Sequence, residues 1–461
     1  MVTATATAAP SNSPNNPNKS RTAVLTGLPT NLAAGLRGFA ATTPGRLGIA
    51  MVGLILLSVL TGVIGIISLQ SKANTLDDLV QHREPVTTAA QQIYRSLSDA
   101  DATSASAFLS GAVEPEPLRR QYETDIAQAG AALAVAVSDS TDTSNIGDVT
   151  TPLTQLATQL PVYTGIVAEA GANNAQGYPV GSAYLREADG LMQSTLLPAA
   201  KNLYNADIAA LDAEQDDATS FPWFGAILVL GLLVALLFTQ RFLTRRTNRV
   251  LNIGLLVATV AVVVTLLWSG IGLTLSAFAV SAARDSGSGQ VASLSQARTD
   301  ALQARTDEVL NLVARGGENY DPQFTNLTKT FAGTDGTGGL LGQVKAASND
   351  PVLEKQLDTA MAATKQWFAL HDSVDTLDNS GNYASAATLS LDTTGTGEAG
   401  VFQKLDTALG NAIQQGRTVF VEKTETAGDA LFALPIGVLV LAVLAAAGAT
   451  IGIWQRLREY R

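Results

Sequence analysis

Arg95 and Asp99 stand four residues apart in the run Tyr94-Arg95-Ser96-Leu97-Ser98-Asp99-Ala100-Asp101-Ala102. On a helix that spacing brings the two onto one face, as an ion pair worth only about 0.2–0.5 kcal/mol. The same guanidinium and carboxylates, with Asp101, could instead face a ligand pocket between helices. A second stretch is Gly177-Tyr178-Pro179-Val180-Gly181-Ser182-Ala183-Tyr184-Leu185-Arg186-Glu187-Ala188. Gly181, Tyr184, Leu185, Ala188, Leu191, Met192 and Thr195 share one helical face, which reads as a core stripe. Tyr184 and Arg186 belong to the types enriched at binding hot spots, so a docking surface is the functional reading of the same residues. The third stretch holds Arg241, Arg245, Arg246 and Arg249 with no acid among them. Such a cluster fixes membrane topology and touches anionic lipid, or pairs bidentately with the carboxylates and phosphates of a partner.

Other chemistry finds few footholds. The glycine-rich run from Gly333 to Gly339 lacks the Gly-Lys-Ser/Thr end that holds phosphate and magnesium, and reads as a flexible loop. His82 and His371 have no partner at metal-ligand spacing. No Gly-x-Ser-x-Gly elbow is present. The chain has no cysteine, which removes disulfides, thiolate nucleophiles and thiolate metal sites together. No enzyme activity, metal or cofactor is therefore expected, and catalytic residues are assigned to none.

The elements that must position these residues begin with four long apolar runs, 47–69, 221–240, 250–272 and 430–454, each close to the ~20 residues that cross a bilayer core. None carries a charged side chain, so plain anchors are expected rather than a transport pathway. Gly448 and Gly452 form a Gly-x-x-x-Gly pair in the last run, a pattern that permits close helix approach and also arises by chance in a run this rich in small residues. Residues 1–46 are rich in Ala, Thr, Pro, Asn and Ser and hold four basic and no acidic residues, the composition of a disordered basic tail. An uncleaved anchor is preferred over a signal peptide for 47–69 because the run is long and follows a polar leader.

Between the spans, 70–220 and 273–429 show helical periodicity and little strand alternation. Four helices are expected in the first segment. One stops at Gly111 before Pro115 and Pro117, the second fades in a polar loop at 138–148, the third covers about 150–174, and the fourth runs from about Pro179 to the membrane with a bend near Pro198. The second segment has the same outline. Gly177-Tyr178 and Gly381-Asn382-Tyr383 each precede a helical run, and these weak local matches support a duplication that rests mainly on architecture. The expected fold is an all-α membrane protein with four transmembrane helices and two antiparallel helical bundles in tandem, outside the cell membrane.

Orientation follows from charge. The two ends (1–46 and 455–461) and the turn 241–249 hold eleven basic residues and one acidic residue, whereas the remainder holds 18 basic and 39 acidic, for a net charge of -11. Basic flanks mark the cytoplasmic side, so both termini and the turn are expected inside and both bundles outside. Acidic bundles also exclude nucleic acid as a partner. The inner segments total about 60 residues, marginal even for a small domain, so any output is expected to pass through a recruited partner. Self-association is left open.

The order of spans, the run Tyr94 to Ala102 and the run Pro179 to Ala188 resemble the GlnX-type four-span sensors of actinobacteria, and the bundles resemble the four-helix sensor domains of bacterial chemoreceptors. The resemblance implies a relay in which a GlnH-like solute-binding lipoprotein senses acidic amino acids and related nutrients, and the span protein passes that state to a PknG-like serine/threonine kinase in the cytoplasm. It assigns no ligand residue to any position here. The reading from another class is a structural or accessory subunit of a cell-envelope complex that does not switch.

Overall fold

Long apolar runs with no charged side chain are stable only where the backbone satisfies itself, and helix is the local way to do so. The computed structural model describes residues 43–140, 149–247, 252–315 and 319–458, and all regular structure among the described residues is helical. The order is α1 (Thr43–Asp78), a π-helical turn Leu79–Arg83, α2 (Glu84–Leu109), α3 (Glu116–Ser140), α4 (Thr150–Ala175), α5 (Val180–Leu191), a second π turn Met192–Leu196, α6 (Leu197–Thr219) and α7 (Trp223–Thr247). Then follow α8 (Ile253–Ala283), a third π turn Arg284–Ser288, α9 (Gly289–Ala314), α10 (Asp321–Ala332), α11 (Gly339–Ala347), α12 (Pro351–Asn379), α13 (Tyr383–Leu391), α14 (Glu398–Phe432) and α15 (Leu434–Arg458). Four helical stretches, containing α1, α7, α8 and α15, are long and apolar enough to cross a membrane, and the chain is a membrane protein.

The helix limits follow local chemistry. Gly111 ends the α2 region at φ +97°, and Gly177 and Gly381 end α4 and α12 at φ +72° and +79°, a conformation that costs glycine no Cβ clash. Both of the latter close the same double cap: Gly177 N and Tyr178 N donate to Asn174 O and Asn173 O, and Gly381 N and Asn382 N to Asp378 O and Leu377 O. α12 opens with Pro351 after Asp350, whose Oδ1 accepts from Val352 N at 2.9 Å. The bend expected near Pro198 is the π turn just before it, which absorbs the hydrogen bond proline cannot donate.

Two expectations change. The basic stretch at 241–249 is not a turn from its first residue, because α7 stays helical through Arg241 and Arg245 to Thr247. The fourth helix of the first half does not run unbroken into its span. It stops at Ser220, whose ψ of 140° leaves the helix, and Phe221-Pro222, a pair whose first residue proline disfavours in helical conformation, precede the start of α7.

One compact unit takes in the described residues up to Val63, those of Phe224–Thr265 and those from Leu439 on. Its core is Leu54, Leu232, Leu236, Leu255, Ala258, Ala449 and Ile453 with their neighbours. α8 and α15 touch backbone to backbone there. A Cβ on Gly254 would lie 2.5 Å from Gly448 O and from Gly452 N, and one on Gly448 would lie 2.7 Å from Gly254 O. Asn252 Nδ2 donates to Gly452 O at 2.7 Å, while its Oδ1 caps Gly254 N at 3.1 Å. The Gly448/Gly452 pair is thus a contact inside this chain.

The second unit, Ile64–Trp223 with Leu266–Val438, holds two cores that each belong to one half. Ile93, Leu97, Leu156, Tyr163, Met192 and Leu196 centre the first; Trp367, surrounded by Phe324, Phe331, Phe368 and Phe402, centres the second. Two further clusters are shared between the halves. Ala105, Leu109 and Leu185 pack with Val309, Leu312 and Val374, and Leu76, Leu79 and Leu211 pack with Val280, Phe420 and Leu431. The halves are therefore fused, not separate. α2 and α9 lie at the centre and are buried around most of their circumference, which explains their Ala, Ser and Thr content: close helix approach favours small side chains.

A candidate anion-binding cleft between α2, α9 and α14

Gln91, Gln92 and Arg95 on α2, Ser295, Arg298 and Thr299 on α9, and Gly410, Ile413, Gln414 and Arg417 on α14 line one cleft of about 300 Å³. Each set keeps helical spacing, so three neighbouring helix faces converge. Gly410 leaves room for one of the cations, since a Cβ there would meet the Arg298 guanidinium at 3.1 Å. The volume is at the lower end of small-molecule sites, about 300–1,000 Å³. A larger crevice of about 450 Å³ beside the end of α6 is lined by Phe221, Leu273, Phe278 and other mainly apolar groups. Its one cation, Arg284, is held by Asp212 and Asp216 at 3.4 and 2.7 Å. Convergent polar chemistry favours the smaller cleft.

Its guanidiniums are positioned differently. Arg298 is clamped by Asp406 through two hydrogen bonds of 2.5 and 2.7 Å, the bidentate geometry that suits a fork and a carboxylate. Arg95 donates to Gln128 Oε1 at 2.8 Å and stands 3.7 Å from Asp99. Arg417 donates to Gln91 Oε1. The Gln91 amide nitrogen is buried without a hydrogen-bond acceptor in bonding geometry. Burial, and then the positive charge of Arg298, lower the Arg95 pKa. For Arg298, burial acts downward but the Asp406 pair outweighs it, and the pKa rises. The flanking acids shift the other way: burial and the Asp406 charge raise Asp99 to about 6, and burial with the Asp99 charge raises Asp125 to about 8. Three arginines thus stand beside three carboxyl groups, Asp99, Asp125 and Asp406, of which burial raises the first two.

Residues 75–216 match the family model of the actinobacterial sensor domain. That sensor-domain segment runs from the end of α1 into α6 and supplies Arg95, but neither Arg298 nor Arg417. No curated protein and no solved structure matches the chain.

Within the sensor-domain segment, the other expected site residues lie apart from the cleft or at its edge. Asp99 is on its flank, with Gln121 donating to it at 3.2 Å. Asp101 is not beside Arg95: it is buried, accepts from the Tyr163 hydroxyl at 3.1 Å, and burial with the neighbouring Asp189 raises its pKa well above the usual range. The stripe at 181–195 is core, with Gly181, Leu185, Ala188 and Met192 buried. Tyr184 is half-buried against the shared cluster, and hydrogen bonding to Glu169 raises its pKa. Arg186 turns back along its own helix, Nε donating to Ser182 O at 3.2 Å. Beyond the segment, Arg241 and Arg245 are exposed on α7. The side chains of Arg246 and His82, and all of Arg249, lie outside the described residues.

In a second polar constellation, spacing along the chain signals only the Arg305/Glu308 pair, at i,i+3. Arg305 Nη1 donates to Glu308 Oε2 at 2.6 Å and Glu398 Oε2 at 2.8 Å, and its Nη2 to Ser390 O at 2.6 Å. Trp367 Nε1 donates to Glu308 at 3.1 Å, and His371 Nδ1 lies 2.6 Å from Glu308 Oε1 while its ring stacks on Phe324 at 3.9 Å. His371, which has no partner at metal-ligand spacing along the chain, therefore meets a carboxylate in space. Burial alone would raise Glu308, but Arg305 and His371 outweigh it and hold that carboxyl low. Burial and the Glu308 charge push Glu398 well up. Donor atoms of Glu308, His371 and Glu398 lie within 4.8 Å of one another, a spacing open to a metal ion. Arg305 already spans both carboxylates, so the arrangement is a buried ion-pair network that joins α9, α12, α13 and α14.

Proposed function

We propose that the chain is a transmembrane sensor that relays nutrient status, received outside the cell from a GlnH-like solute-binding lipoprotein, to a PknG-like serine/threonine kinase inside. The observation that carries this reading is the sensor-domain match at 75–216, which falls on the helical body between the first two apolar runs. The charge asymmetry between the basic ends and the acidic body supports the orientation, with both termini cytoplasmic. Two extracytoplasmic bundles in tandem are part of the same proposal. Supporting it, α1 and α8 each pass through a five-residue π turn into a 26-residue helix, and α4 and α12 close with the same glycine cap.

The test is capture of partners from membranes of nutrient-replete and nutrient-starved cells, with labelling by a membrane-impermeant thiol reagent. Cysteines at Ser110 and Ser380 are expected to react in intact cells and one at Thr247 to stay silent. A nutrient-dependent partner set supports the sensor. A fixed set supports the structural-subunit reading, and labelling at Thr247 reverses the orientation.

A further inference from the structure

We propose that the cleft between α2, α9 and α14 is a binding site for a small carboxylate, held by side chains of both halves of the chain. As a regulatory site this rests on the sensor reading; as chemistry it stands on the cleft. Arg95, Arg298 and Arg417 come from three helices and line the same space. Like-charged guanidiniums gathered in a partly desolvated cleft repel one another, and an anion among them removes that repulsion. Arg298 is held by Asp406, which shows the mode of recognition the site offers: a planar fork presenting parallel N–H groups matches a carboxylate. The remaining lining supplies neutral partners. Ser295 and Thr299 hydroxyls, Gln92 and Gln414 amides, and the buried Gln91 nitrogen can serve the polar groups of a small metabolite.

Charge separates carboxylate from phosphate. Asp99 and Asp406 flank the arginines and oppose two of the three positive charges, and burial raises the pKa of the neighbouring Asp125. The surplus is then about one positive charge, which suits a single carboxylate group better than a phosphate dianion. The location gives the site a consequence: Arg95 belongs to the sensor-domain segment and Arg417 to α14, so an occupant joins the two halves.

The experiment is calorimetric titration of the full-length protein in lipid nanodiscs with lactate, glutamate and inorganic phosphate. Saturable binding of a carboxylate is expected, weakened at least tenfold in Arg95→Gln. Gln414 is exposed at the rim, so Gln414→Glu keeps the fold while adding a negative charge, and is expected to weaken binding several-fold. Melting temperatures without ligand check that each variant is folded. Three outcomes overturn the proposal: folded protein that binds none of the carboxylates, binding of phosphate alone, or carboxylate binding indifferent to both Arg95→Gln and Gln414→Glu. Partner capture in cells, measured independently, tells failure of the cleft from failure of the sensor: nutrient-dependent partners without carboxylate binding remove only the cleft.

Discussion

Replacing Arg305 by methionine removes the one cation that joins Glu308, Glu398 and the Ser390 carbonyl, at hydrogen bonds of 2.6, 2.8 and 2.6 Å. The side chains of Arg305, Glu308 and Glu398 are only 4%, 2% and 0% exposed, so water cannot take over the lost contacts. Breaking a buried pair by deleting one partner costs about 3–5 kcal/mol. At the low end of the scaling for large domains, ~2 °C per kcal/mol, this lowers the melting temperature by about 6–10 °C. Glu398→Gln is the matched control. Burial and the Glu308 charge raise the Glu398 pKa and so favour its neutral form; glutamine resembles that form, and a cost under about 1 kcal/mol is expected. The pH dependence has a definite sign. A carboxyl whose pKa is raised by folding contributes stability that is full below its unfolded value and is lost as pH rises through its folded one. Any advantage of the parent over Glu398→Gln should therefore shrink from about pH 5 upward. Thermal unfolding of the nanodisc-embedded protein, followed by tryptophan fluorescence, reads all three proteins. An Arg305→Met melt within 2 °C of the parent, or a Glu398→Gln as unstable as Arg305→Met, refutes the reasoning.

Around α2 and α9, Asp99 and Asp300 are raised to about 6 and Asp125 and Asp307 to about 8; their contribution is full below about pH 4 and declines up to pH 8, so denaturation midpoints should be lower at about pH 8.5 than at pH 5. Asp125→Asn should flatten part of that slope, and a midpoint that rises with pH contradicts the assignment. Gly254→Ala forces a methyl against the Gly448 and Gly452 backbone and should cost about 1–3 kcal/mol by overpacking, whereas Gly231→Ala, which meets open space, should melt like the parent. Lys72 Nζ donates to Asp217 O, Ala218 O and Ser220 Oγ; Lys72→Met should cost about 1–3 kcal/mol by orphaning those carbonyls, and hydrogen exchange should show faster opening of the last turn of α6, with unchanged exchange counting against the cap.

Legibility in the sequence followed the range of the signal. Apolar runs, Gly111, Gly177 and the prolines act within a few residues, and they located the spans and most helix limits. α2 and α9 are less legible because a central helix buried on most faces lacks an apolar stripe: Ser96, Ser98, Asp101, Thr299 and Thr306 are buried, yet by composition they resemble a solvated surface. Arg95 was visible because Asp99 is four residues away. Arg298 and Arg417 reach it only through packing of distant helices, and Glu308, His371 and Glu398 meet in the same way. No spacing along the chain records such meetings.

The joints between helices are of two kinds. From Thr43 to Leu109, and again from Ile253 to Ala314, helical backbone is continuous except for one π turn. α6 and α7, by contrast, are separated by the non-helical Ser220-Phe221-Pro222, and α14 and α15 by Ala433 just ahead of Pro435. Two of the four apolar helices are thus reached through helical backbone that is unbroken but for a π turn, and the other two across a break of three residues or one.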